Sequence, residues 1–127
     1  MAAIRRNLHW VAEEFDRRAA NYDSSTMHRW QAEHAADLLN AQPDQRILDL
    51  ATGTGLAIRA VTARGGPSTY LVGIDVSEQM LRVAVGKSDR QRCSYARADA
   101  HHLPFQARTF DAIRALLQSP ISKTCTR

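Results

Sequence analysis

The 127 residues, 44% hydrophobic and 24% charged, have the balance of one soluble globular domain large enough to bury its own core. The net charge of +4 is spread over basic residues that interleave with acids, and aromatics are only 6%, so the basic, aromatic-lined stripe of a nucleic-acid surface is not expected. Cys93 and Cys125 lack CxxC spacing and a His/Cys cluster, which argues against a zinc site or a disulfide framework and for a reducing, cytoplasmic setting.

The N-terminus is charged from Arg5 onward without an apolar leader, and no stretch approaches the roughly 18 apolar residues of a membrane span. Leu8, Val11, Ala12, Phe15 and Ala19 recur at helical spacing and predict an amphipathic helix over 8–20, broken by Asn21-Tyr22-Asp23-Ser24-Ser25. A second helix follows, with Trp30, His34 and Leu38 on one line and Ala35 and Leu39 beside them; Trp10 and Trp30 read as packing residues rather than a substrate cage. Asn40 to Gln45, with Pro43, is a loop. Residues 46–51 then form a strand whose continuous apolar run fits a sheet covered on both faces.

Leu56 to Arg64 is a crossover helix ended by Gly65-Gly66-Pro67, and 69–75 is the second strand. Ser77 is placed to cap a helix carrying Met80, Leu81, Ala84 and Val85 that closes near Gly86. Strand three is expected over 93–98, an apolar loop at Leu103-Pro104-Phe105, and strand four over Phe110 to Leu116. This alternation predicts an α/β fold with a Rossmann-like open parallel sheet flanked by helices.

The chemistry gathers at the strand ends. Ala51-Thr52-Gly53-Thr54-Gly55 turns from the first strand into a helix, presenting backbone N–H groups with no bulky side chain in the way. A dinucleotide fingerprint needs a glycine three residues after Gly55, and Ile58 stands there, which disfavours NAD and FAD. Asp75, at the end of strand two, has two oxygens able to accept from both hydroxyls of a ribose; otherwise it is a solvated cap for the next helix. Asp99 follows strand three at the same sheet edge, either to accept from an exocyclic adenine amine or to cap its loop.

Four segments in this order resemble successive motifs of class I S-adenosylmethionine-dependent methyltransferases, nearest the branch that methylates quinones and other small molecules. They are Asp49 to Gly55, Gly73 to Leu81, Ala98 to Phe105 and Phe110-Asp111-Ala112. Phe15-Asp16 through Tyr22-Asp23 is similar to that branch's N-terminal cover. The resemblance implies S-adenosyl-L-methionine as cofactor and S-adenosyl-L-homocysteine as product. It implies that Asp49 and the Ala51, Thr52, Gly53 and Gly55 turn hold the methionine end, Asp49 through its amino group. Asp75 would hold the ribose, Val76 and Met80 would pack on adenine, Asp99 and Ala100 would meet its polar edge, and Tyr22 would close over the site. No catalytic residue is assigned, although His28, His101 and His102 are candidate bases.

The family's sheet has seven strands, and only about four are expected here. The expectation is an incomplete methyltransferase fold over 1–117, with a helical cover over 1–45 and an irregular tail at 118–127. Strand four would be a bare apolar edge, which asks for a homodimer or a partner chain. Two functions follow: methyl transfer to a small-molecule acceptor, or the cofactor-binding half of such an enzyme; alternatively, a non-methylating cofactor-binding scaffold that acts only in an oligomer.

Overall fold

The computed structural model describes residues 2–116; the expected tail at 118–127 lies outside the described residues. Helix α1 runs from Ala2 to Arg18 and tightens into a 3-10 helix, Ala19–Ser24. Helix α2 (Thr26–Leu39), strand β1 (Arg46–Leu50), helix α3 (Leu56–Arg64), strand β2 (Tyr70–Asp75), helix α4 (Glu78–Lys87), strand β3 (Cys93–Arg97) and strand β4 (Ala112–Arg114) follow. The predicted break at 21–25 is therefore a change of helix type. Ser25 ends it by capping α2, its Oγ accepting from the His28 N–H at 3.2 Å. Asn40 takes the left-handed conformation (φ 47°) that closes α2.

All strand pairs are parallel, in the order β3-β2-β1-β4. The chain builds outward from β1 to β3, then returns to the other side of β1. That reversal is the topological switch point, where a crevice opens beyond the carboxyl ends of the strands. In register across the sheet, Cys93, Leu71, Ile47 and Ala112 form one row. Ala32 and Ala36 of α2 and Ala57, Ile58, Ala60 and Val61 of α3 pack against that row. Alanines on both helices let the backbones approach closely, and deep burial of Ile47, Ile58 and Leu71 supplies the hydrophobic gain.

The line Trp30, His34 and Leu38 does not face this core. Trp30 is 61% exposed, Leu38 73% and Trp10 55%, so the expectation that the tryptophans are packing residues is corrected. The small residues about half a turn away, Ala32 and Ala36, took the inner face because α3 lies close. Strand β4 is also shorter than the expected 110–116. Pairing begins where the Asp111 N–H reaches the Arg46 carbonyl at 2.8 Å, and the Leu116 N–H turns to the Asp49 carboxylate at 3.0 Å. Among the described residues no helix is long and apolar enough to cross a membrane, and no group of three or more His, Cys, Asp or Glu side chains is placed to hold a metal.

Candidate cofactor site

Strand β1 ends at Leu50, and the next five residues reverse direction into α3. Ala51, Gly53 and Gly55 all have positive φ (54°, 60° and 78°). The two glycines serve different purposes. A Cβ on Gly53 would meet nothing within 4 Å, so that side of the turn is open; one on Gly55 would lie 2.5 Å from the Tyr95 hydroxyl. Gly53 therefore offers the close approach, while Gly55 lets α3 settle on β3 and α4. Ala51 is exposed and bears a side chain in a conformation that favours glycine. Ala51→Gly is expected to raise stability by up to about 1 kcal/mol, the relief of strain being partly offset by greater freedom of the unfolded chain. A urea midpoint that falls instead would contradict this.

Asp75 closes the turn from the neighbouring strand. Its Oδ2 accepts the Gly53 N–H and its Oδ1 the Ser77 N–H, both at 2.8 Å. Each oxygen keeps a second lone-pair direction for another donor. The side chain is only 8% exposed, and burial pushes its carboxyl above the ordinary range against the pull of the Ser77, Gly53 and Val76 N–H groups; the Asp16 carboxylate nearby raises it further. Ser77 caps α4 as expected, its Oγ accepting the Met80 N–H at 3.2 Å. Val76 is half-buried and Met80 has no exposed surface.

Behind the turn, Asp49 is 1% exposed, with Thr52 as its buried neighbour. Burial lifts the Asp49 carboxyl to about 7, although the Leu116 N–H opposes the shift. Asp49 Oδ2 and Thr52 Oγ1 are both buried without a hydrogen-bond partner, though the Thr52 hydroxyl is near enough to oppose the rise as well. An orphaned carboxylate oxygen beside an open glycine turn fits a cationic group brought in by a ligand. The residues present thus suit an aminoacyl nucleoside: an open turn, an unpaired buried acceptor and a strand-end carboxylate.

Tyr22, on the 3-10 helix, stacks on His28 with ring centroids 3.9 Å apart, and the His28 Nδ1 lies 3.1 Å from the Tyr22 carbonyl. Burial raises the Tyr22 phenol, and the Asp75 and Asp23 carboxylates add to it, so Tyr22 stands near Asp75. His28 is thereby a structural partner of Tyr22. Asp99 Oδ1 accepts the His101 N–H at 2.9 Å and Oδ2 lies 3.5 Å from His102 Nδ1, so the loop-capping alternative describes one of its oxygens. Ala100 is half-buried beside it, and His101 and His102 are exposed. The structure brings Tyr22, Asp49, the 51–55 turn and Asp75 to one end of the sheet; Val76 directly follows Asp75, and Met80 lies in the first turn of α4.

Two acids had no assigned role in the sequence. Asp16 Oδ1 accepts from the Ser77 hydroxyl and from the Gln79 N–H at 3.1 Å. Asp23 accepts from the Thr54 hydroxyl, from Arg59 Nη2 at 2.7 Å and from Lys87 Nζ at 2.9 Å. Their separations of 31 to 64 residues hide these contacts from any local pattern.

A family model described as a methyltransferase domain matches residues 47–123. A ubiquinone/menaquinone biosynthesis C-methyltransferase of Acidiphilium cryptum is 36% identical over 117 residues, covering 83% of this chain and 45% of the relative. A chain of the solved complex between the Haloferax volcanii Trm112 methyltransferase activator and a candidate methyltransferase is 30% identical, with a TM-score of 0.72 over 81% of this chain and 45% of that one. Phosphoethanolamine N-methyltransferase 2 of Haemonchus contortus, in complex with S-adenosyl-L-methionine, is 29% identical, with a TM-score of 0.55 over 63% of this chain and 20% of that one. This chain spans less than half the length of each of them. The match runs through β1, the open turn and the strand-end acid alike, and by it the chain belongs to the class I S-adenosylmethionine-dependent methyltransferases.

Proposed function

We propose that this chain forms the cofactor-binding half of an enzyme that transfers a methyl group from S-adenosylmethionine to a small-molecule acceptor of the quinone class. The observation that carries the reading is the Gly53 turn, open on its outer side and hydrogen-bonded to Asp75 at the end of the neighbouring strand β2. The bound cofactor supplies an activated methyl group on a sulfonium, and in-line displacement then depends mainly on positioning. Asp75 would orient the ribose, Asp49 would pair with the amino group, and Thr52, Ala51, Gly53 and Gly55 would frame the methionine end. Val76, Met80, Asp99 and Ala100 belong to the adenine side, and Tyr22 to the cover. His28, His101 and His102 are assigned no proton transfer, and S-adenosylhomocysteine would leave as product.

Calorimetric titration with S-adenosylmethionine tests this reading. Binding at micromolar to millimolar cofactor, with competition by S-adenosylhomocysteine, is expected; no heat and no thermal shift at millimolar cofactor would defeat it.

One observation favours the second reading, a non-methylating module that works only in an oligomer. Strand β4 has three residues, pairs β1 on one side, and has no partner on the other among the described residues. Such an edge recruits a second strand. We propose a second copy or a separate partner chain there, and a cytoplasmic setting for the assembly. Cofactor binding without turnover of any quinone acceptor would favour this reading, and a clean monomer by light scattering would remove the oligomer from it.

A further inference from the structure

We infer that Asp23, helped by Asp16, latches the N-terminal segment over the cofactor crevice and so acts as a positioning residue that sets how long the cofactor stays. The identity of the ligand rests on the proposed function; the latch rests on the contacts. Asp23 touches three parts of the site at once. One oxygen accepts from the hydroxyl of Thr54, a fully buried residue between the two turn glycines. The other accepts from Arg59 on α3 and from Lys87 at the end of α4. Arg59 also donates to the Thr54 carbonyl, which fastens the receiving surface. Seven residues earlier, Asp16 grips the opposite end of α4 through Ser77 and Gln79.

Tyr22 lies between these two fasteners, and both it and Asp16 are within electrostatic reach of Asp75. The chain's own atoms leave Asp75 8% exposed and Thr54, Ser77 and Met80 at 0%. With Tyr22 and Asp16 beside the buried Asp75, a ribose would reach it more freely when α1 and the 3-10 helix lift, and lifting them breaks the Asp23 contacts. These contacts differ from an ordinary surface pair. The Asp23 side chain is 15% exposed, whereas Asp37, which pairs with Arg64 between α2 and α3, is 65% exposed. Exposed pairs contribute little, but a sheltered carboxylate with three donors holds its geometry.

The test compares wild type, Asp23→Asn, the milder Lys87→Gln, and Asp37→Asn as a control ion pair away from the crevice. Amide hydrogen exchange is measured without cofactor, and the dissociation rate of S-adenosylmethionine by stopped-flow displacement. In Asp23→Asn, protection should fall selectively over 2–24 and dissociation should quicken about tenfold. Lys87→Gln should move both in the same direction by less, and Asp37→Asn should leave dissociation at the wild-type rate. Should Asp23→Asn fail to fold, Lys87→Gln decides. Unchanged protection over 2–24 overturns the latch, and lost protection with unchanged dissociation overturns its positioning role. If wild type binds no S-adenosylmethionine, the proposed function fails, and the exchange comparison alone decides the latch.

Discussion

Asp75→Ala is expected to weaken S-adenosylmethionine binding by roughly 1.5–3 kcal/mol, a loss of about tenfold to more than a hundredfold. The carboxylate spends one lone pair on the Gly53 N–H and one on the Ser77 N–H, leaving the remaining directions for two ribose hydroxyls. Alanine removes the acceptor and also strands those two backbone donors, so the turn should loosen and thermal stability should fall. The calorimetry therefore needs a urea curve beside it, to show that the variant is folded at the titration temperature. Asp75→Asn should also fail to restore affinity, because its amide would point an N–H at one of the two backbone donors. A folded Asp75→Ala protein that binds with wild-type affinity would exclude Asp75 from the site.

Asp49→Asn should stabilise the protein above pH 7 and weaken its hold on cofactor. Burial lifts the Asp49 carboxyl from its ordinary 3.8 to about 7, so the folded chain binds that proton more tightly than the unfolded one. The resulting stability is fully present below about pH 4 and is lost as pH rises through about 7. A shift of this size corresponds to on the order of 4 kcal/mol. Asparagine keeps the acceptor for the Leu116 N–H, carries no charge, and turns an N–H toward the neighbouring Thr52 hydroxyl.

Wild type should thus lose stability relative to the variant between pH 5 and pH 8, measured by urea unfolding at both. Parallel behaviour of the two proteins would mean that Asp49 titrates as an ordinary carboxyl. Cofactor binding should follow the opposite trend. A cationic amino group favours the ionised carboxylate, so wild-type affinity should rise with pH through about 7, and the Asp49→Asn affinity should not. A buried acid that weakens the fold at neutral pH yet serves the ligand is a familiar compromise at functional sites.

The crevice was legible because its signals are local. An apolar run, a glycine turn, a helix and a terminal acid occupy fewer than thirty consecutive positions, from Ile47 to Asp75, and apart from Ala51 each adopts the conformation its residues favour. The parallel direction of β1, β2 and β3 was legible for the same reason, since helices separate them. The cover was not. Phe15-Asp16 and Tyr22-Asp23 marked the segment, but their partners, Ser77, Thr54, Arg59 and Lys87, are tertiary neighbours.

Helix α2 was misread because large apolar residues were taken to face inward. Its inner face is Ala32 and Ala36, opposite Ala57 and Ala60, and paired alanines at helical spacing were the available signal. The shortness of β4 had no signal at all. It follows from one amide leaving the ladder for a carboxylate 67 residues earlier in the chain.

That same amide gives the molecule a line of communication. The Leu116 N–H holds one oxygen of Asp49, while the other oxygen is buried without a hydrogen-bond partner. If Asp49 holds the methyl donor as proposed, shifting the backbone just past β4 would change the proton affinity of the group that grips it. An acceptor settling against that backbone would retune the donor's anchorage, and donor arrival would tug on the acceptor's side in return. On the proposed reading, sensing of one reactant by the other would need no moving domain, only that shared carboxylate.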